Sequence, residues 1–246
     1  MSAPLLRVEG LTAGYGRGEV LRDLSIEVAE RTTVSIIGPN GAGKTTLIRC
    51  VSGALRPSGG RVVFDGEEVT GLRPVELVRR GIMQVPQGRH LFGELTVEEN
   101  LRLGGHSVRR RIDVERRIEE LVEIFPIVRE RRGQLAHTLS GGQQQMVAIA
   151  RGLVCEPRLL LLDEPSVGLA PAIIDDVGAL VAQIKAAGCT VLLAEQNVPL
   201  ALSLADHVHV IANGAVAAHG TPAEIEARDD ARRAYLGLPD PAGAAA

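Results

Sequence analysis

Tryptophan is absent from this 246-residue chain, five residues are aromatic (Tyr15, Phe64, Phe92, Phe125 and Tyr235), and two of the 27 basic residues are lysines, Lys44 and Lys185. The formal net charge is −3, which leaves no global basic field to hold a nucleic-acid backbone. The cluster Arg109-Arg110-Arg111 is followed at once by acidic residues and has no interleaved aromatics, so it reads as a solvated helix start. Long apolar runs are missing too: Leu159 to Leu162 spans four residues, against the roughly 20 that cross a bilayer. The opening MSAPLLRVEG lacks the charged-then-apolar order of a secretory signal. Cys50, Cys155 and Cys189 form no C-x-x-C pair, and their odd number argues against a disulfide framework. They read as buried thiols in a reducing compartment. These exclusions leave a soluble, intracellular chain whose length suits one α/β domain, with or without an insertion.

What is present alternates between strand and helix patterns. Leu24, Ile26 and Val28 alternate with Ser25 and Glu27, the period of a half-buried strand. Residues 33–37 form a short apolar run that ends in a glycine-rich turn, and residues 44–52 then read as helix. Residues 61–64 before Asp65-Gly66 predict a strand entering a hairpin. Residues 96–132 are charged and helical, with Val114, Ile118, Leu121, Val122 and Phe125 on one face. Beyond Leu139 the β/α alternation returns. A buried strand over 159–162 precedes a helix opened by Pro171 and ended near Gly188. A strand over 190–193, a hairpin across Asn213-Gly214 and a capping box at Thr221 and Glu224 follow. The Pro/Ala/Gly tail after Leu238 reads as disordered.

Gly38-Pro39-Asn40-Gly41-Ala42-Gly43-Lys44-Thr45, followed by Thr46, matches G-x-x-x-x-G-K-[ST] between a strand and a helix. Glycines there let consecutive N–H groups wrap phosphate oxygens, and the helix N-terminus adds partial positive charge. Lys44 is expected on the β- and γ-phosphates and the Thr45 hydroxyl on Mg²⁺. Asp163 and Glu164 follow the buried strand, at the carboxyl end where open α/β sheets place their ligands. Asp163 is expected to complete the Mg²⁺ site and Glu164 to polarise the attacking water. His207 and His209 share a strand face, but no third ligand lies at metal-site spacing.

Leu139-Ser140-Gly141-Gly142-Gln143 narrows the class, because it resembles the signature sequence of ABC transporter ATPases. The resemblance runs from about Leu5 to Gly237. It implies a P-loop core, a mostly parallel sheet with flanking helices, plus an N-terminal antiparallel β subdomain and an inserted helical subdomain. The corresponding divisions are 1–86, 87–138 for the helical subdomain, 139–220, and 221–246 for the last helix and tail. It also implies that Tyr15 stacks on adenine and that Gln87 contacts Mg²⁺ and a membrane subunit. Ser140, Gly141, Gly142 and Gln143 are expected to meet the ATP of a second ATPase domain paired head-to-tail. Gln196 replaces the usual switch histidine, and Ala170 replaces the usual acid after Gly168-Leu169. Gln can hydrogen-bond a γ-phosphate or water but carries no charge.

Residues 85–92, 95–101, 140–146, 166–171, 195–197 and 234–237 look like the shorter ATPases of bacterial branched-chain amino acid importers. Urea and short-chain amide importer ATPases are close by, and Gln87 is common among the urea-type relatives. That branch implies two permease subunits, an extracytoplasmic binding protein acting indirectly, no nucleic acid, and a peripheral location on the cytoplasmic membrane face. A soluble, non-transport ABC ATPase is the remaining alternative. A GTPase is excluded, since its Asn-Lys-x-Asp motif cannot be built on Lys44 or Lys185.

Overall fold

The computed structural model describes residues 3–106 and 113–229. The arginine cluster at 109–111, the 234–237 motif and the tail after Leu238 lie outside the described residues. The chain runs β1 (Leu6–Tyr15), β2 (Gly18–Val28), β3 (Thr33–Ile37), α1 (Lys44–Val51), β4 (Gly59–Phe64), β5 (Glu67–Glu68), α2 (Pro74–Arg80) and β6 (Ile82–Val85). Helices α3 (Val97–Gly104), α4 (Val114–Ile124), α5 (Pro126–Glu130) and α6 (Gly141–Leu153) follow. The last third holds β7 (Leu159–Asp163), α7 (Pro171–Ala186), β8 (Thr190–Glu195), α8 (Val198–Leu204), β9 (His207–Ala212), β10 (Ala215–Gly220) and α9 (Pro222–Ala227).

The strands form an antiparallel sheet, β2-β1-β4-β5, and a six-stranded sheet, β10-β9-β3-β8-β7-β6. Only the β9–β10 pairing in the second is antiparallel, across Asn213 and Gly214, both left-handed. The leucine run shows why that sheet is central. Leu159 and Leu161 pack with α1 and the antiparallel sheet, whereas Leu160 and Leu162 pack with α6 and α7. A strand covered on both faces reads as a continuous apolar run, as this one does. Each fully buried leucine contributes roughly 1.5–3 kcal/mol by leaving water.

The stretch over 96–132 is less continuous than its periodicity predicts, since α3, α4 and α5 are separate. Pro126 causes one break: it disfavours helical geometry at Phe125, which sits at φ −119° and ψ 86°, and then opens α5. The apolar stripe itself is buried through Ile118, Leu121, Val122 and Phe125. Of the three thiols, Cys50 and Cys155 are buried and Cys189 is only partly covered. Burial raises Cys50 to about 11 and Cys155 to about 12, so both stay protonated. No helix among the described residues is long and apolar enough to cross a membrane.

Candidate nucleotide site

Register brings three strand ends together. Ile37 of β3 lies opposite Glu195 of β8, and Ala194 of β8 lies opposite Asp163 of β7. The segment from Gly38 to Gly43 leaves β3 and turns into α1, whose first residue is Lys44. Gly41 (φ 81°) and Gly43 (φ 113°) adopt backbone that side chains resist. A Cβ on Gly43 would also meet Leu21 Cδ2 at 2.5 Å. The glycines are therefore what let the loop curl tightly over β2.

Lys44 is 4% exposed, and its Nζ donates to the carbonyls of Gly38 (2.9 Å) and Pro39 (3.3 Å). The same ammonium lies 3.2 Å from Glu164 Oε1. Gln87 Nε2 donates to Glu164 Oε2 at 3.2 Å. Glu164 itself has φ 49°, a left-handed conformation for a residue with a side chain. Such strain costs roughly 1–3 kcal/mol and clusters at functional sites. Its N–H donates to Ala194 O at 2.8 Å, which anchors the turn to β8.

Thr45 Oγ1 donates to Asp163 Oδ1 at 2.9 Å. Asp163 is raised above the ordinary carboxylate range, mainly by burial, with the Thr45 hydrogen bond pulling the other way. A cavity of about 500 Å³ opens onto these groups, lined by Tyr15, Asn40, Gly41, Lys44, Thr45, Thr46, Gln87, Glu164 and Gln196 among others. Tyr15, at the end of β1, is 47% exposed and lines this space. Arg49 Nη1 donates to its hydroxyl at 3.0 Å, with the guanidinium 6.0 Å from the ring centroid. Arg49 escaped sequence reading; its only signal is a place one turn into the helix that follows the loop.

Ser140 to Gln143 are elsewhere. Ser140 caps α6: its Oγ accepts from Gln143 N at 3.4 Å and its N–H donates to Gln143 Oε1 at 3.0 Å. Gly142 and Gln143 line a separate cavity of about 440 Å³ beside Phe125 and Ile173, away from Lys44. The Arg89 guanidinium lies across Gly141, where a Cβ would meet Arg89 Nη2 at 2.9 Å.

Sequence spacing missed two further features. Glu195, fully buried, accepts from Ser166 Oγ (2.8 Å) and from the N–H groups of Ser166 (2.9 Å), Gln196 (3.0 Å) and Asn197 (3.1 Å). Burial raises its carboxyl, and the four donors oppose that shift. An acid ending an otherwise apolar strand was the available signal. Far from the loop, His219 of β10 pairs opposite His209 and joins His207, with ring centroids 5.0–5.7 Å apart. The third imidazole thus arrives from the paired strand, which sequence spacing cannot show. No group of three His, Cys, Asp or Glu side chains among the described residues is arranged to hold a metal ion.

A glycine-rich loop entering a helix from a central parallel strand, with a hydroxyl–aspartate pair and a strained acid across from it, defines a P-loop nucleotide hydrolase. The family pattern for "ABC transporter" matches residues 21–167, and the chain belongs to that family as an ATP-binding, ATP-hydrolysing subunit. The chain is 42% identical to the high-affinity branched-chain amino acid transport ATP-binding protein BraG of Pseudomonas aeruginosa, over 95% of this chain and 100% of BraG. In three dimensions it resembles MJ1267, an ATP-binding cassette of an ABC transporter in its ADP conformation, at TM-score 0.86 and 30% identity. That match covers 96% of this chain and 100% of MJ1267. The dimeric post-hydrolysis cassette MJ0796, bound to ADP and Pi, matches at TM-score 0.78 and 26% identity over 88% of this chain and 98% of its own.

Proposed function

We propose that this ABC ATPase is the motor of an importer for branched-chain amino acids, peripheral to the cytoplasmic membrane face. Two permease subunits carry it there, and an extracytoplasmic binding protein supplies them with substrate. In this reading two head-to-tail ATPase domains, identical or paralogous, bind ATP between them. The end-to-end likeness to BraG supports the substrate. The opening of Gly142 and Gln143 onto a cavity that no phosphate-loop residue lines, together with the paired MJ0796 cassette, supports the composite site.

The observation that carries the chemistry is the meeting of Lys44, Gln87 and Glu164, with both neighbours 3.2 Å from the Glu164 carboxylate, beside the phosphate loop. Lys44 and the loop N–H groups neutralise the β- and γ-phosphates. Thr45 Oγ1 and Asp163 Oδ1, at 2.9 Å, are hard oxygen donors at the spacing of neighbouring ligands around an ion with bonds of about 2.1 Å. With Gln87 they would hold Mg²⁺, which supplies further charge neutralisation. Glu164 accepts a hydrogen bond from the attacking water and aims its lone pair at the γ-phosphorus. The new P–O bond forms as the bond to the bridging oxygen of ADP breaks, releasing ADP and phosphate. Gln196 hydrogen-bonds the γ-phosphate or the water, Tyr15 supports adenine, and Ser140 with the first N–H groups of α6 closes the site from the partner domain.

Deleting the gene in its own cell is expected to abolish leucine uptake and leave urea uptake intact. The parental chain restores uptake and a Lys44→Ala chain does not. Leucine uptake that survives deletion, or copurification with nucleic acid and no permease, contradicts the reading.

A further inference from the structure

The loop that follows Glu164 and the segment that carries Gln196 come from different strands, β7 and β8, yet one side chain ties them together. Glu195 Oε2 accepts from the Ser166 hydroxyl and from the backbone of Gln196 and Asn197, while Oε1 accepts from the Ser166 backbone. Ser166 lies two residues beyond Glu164, and the Glu164 N–H is itself bonded to Ala194, the residue before Glu195. Val167, next to Ser166, lines the same cavity as Glu164 and Gln196.

All four partners of this carboxylate are neutral donors, and the group is fully buried. Removing a carboxylate from water without a countercharge is costly, and an apolar residue ending the run Val191 to Ala194 would avoid that cost. What the acid adds is geometry. An ionised carboxylate only accepts, so it can hold several donors from two segments at one point, which a neutral amide cannot.

We infer that Glu195 is a positioning residue that sets Glu164 and Gln196 as one unit, by clamping Ser166 to the start of the Gln196 segment. The inference rests on the reading of Glu164 and Gln196 given under Proposed function. It assigns Glu195 to the rate of hydrolysis and not to the capture of ATP, since no atom of Glu195 lines the nucleotide cavity. In a Glu195→Gln chain the amide nitrogen must face at least one N–H donor, so a tether is lost whichever way the amide turns.

The test is steady-state MgATP hydrolysis by the full chain, with thermal midpoints taken alongside. For Glu195→Gln, kcat falls at least ~10-fold while KM for ATP stays within about threefold, the pattern of misplaced reacting groups. Ser166→Ala removes one tether with little change in volume and lowers kcat by about fivefold, the rate equivalent of one net hydrogen bond. The double variant falls by less than the product of the two single losses, because both changes weaken the same link. A folded Glu195→Gln chain with parental kcat, a rise in KM alone, or multiplicative losses in the double variant overturns the inference. If Glu195→Gln fails to fold, parental kcat in Ser166→Ala overturns it as well. A Glu164→Gln chain distinguishes the two readings. Parental turnover there removes the Glu164 assignment, whereas slow turnover there beside parental turnover in Glu195→Gln removes only the clamp.

Discussion

At the carboxyl ends of β3, β7 and β8, Lys44, Asp163, Ser166 and Glu195 are all buried, and each has a hydrogen-bonded partner. On β9 of the same sheet, opposite Ile36, His209 is buried to 6% exposure and neither ring nitrogen reaches hydrogen-bond geometry. Thr33 Oγ1, at the first residue of β3, is likewise buried and unpartnered. Those three atoms are the only such side-chain atoms among the described residues. A polar group buried with partners is fixed in place and available to chemistry, whereas one buried without them mainly subtracts from stability. One sheet therefore carries a preorganised site where its polar groups are partnered and a stability liability where they are not.

The sharpest way to break the contrast is at Lys44. Lys44→Ala removes the ammonium that faces both the loop carbonyls and Glu164, and kcat/KM for ATP is expected to fall ~10²–10³-fold. Hydrolysis assays with the folded variant check this. At His209, the expected effect is on stability and depends on pH. Burial, together with the like charges of His207 and His219, pushes His209 down to about 3. The unfolded imidazole takes a proton near 6.5, so between these values the unfolded state binds more protons, and stability falls as pH drops. Between pH 7 and pH 5 the loss from this group is up to ~2 kcal/mol. Denaturant unfolding of His209→Leu at both pH values is expected to show a shallower fall than the parental chain, with ATP hydrolysis at pH 7 unchanged.

The smallest effect belongs to the second lysine. Lys185 pairs with Asp206 at 2.6 Å, and the two side chains are 33% and 40% exposed. Lys185→Ala should cost ~0.2–1 kcal/mol in unfolding experiments, shrinking further at high salt. The two lysines of this chain thus differ by environment: one is buried at the phosphate loop, the other is a surface tie from α7 to the turn before β9.

Legibility in the sequence followed the same division. The phosphate loop, the Asp163-Glu164 step, the Thr221 cap and the Asn213-Gly214 hairpin were readable because each is set by residues within a few positions of one another. Helix ends at Pro171 and Gly188 were readable for the same reason. The antiparallel pairing of β1 with both β2 and β4 carried no local mark, and α2 and β6 were too short for periodicity to declare them. Glu195 was invisible as a clamp because its partner Ser166 lies 29 residues away on another strand's loop. His219 was likewise separated from His209 by the hairpin turn and by a register shift in β10 between Val216 and Ala218. Long-range pairing decides such positions, and spacing along the chain does not encode it.

Glu164, held in left-handed backbone between Lys44 and Gln87, is the centre of the site. The most direct measurement is MgATP binding and steady-state hydrolysis by a Glu164→Gln chain beside the parental one. Loss of a positioned base predicts kcat at least ~100-fold lower with ATP affinity unchanged. Hydrolysis at the parental rate in that chain would contradict the account.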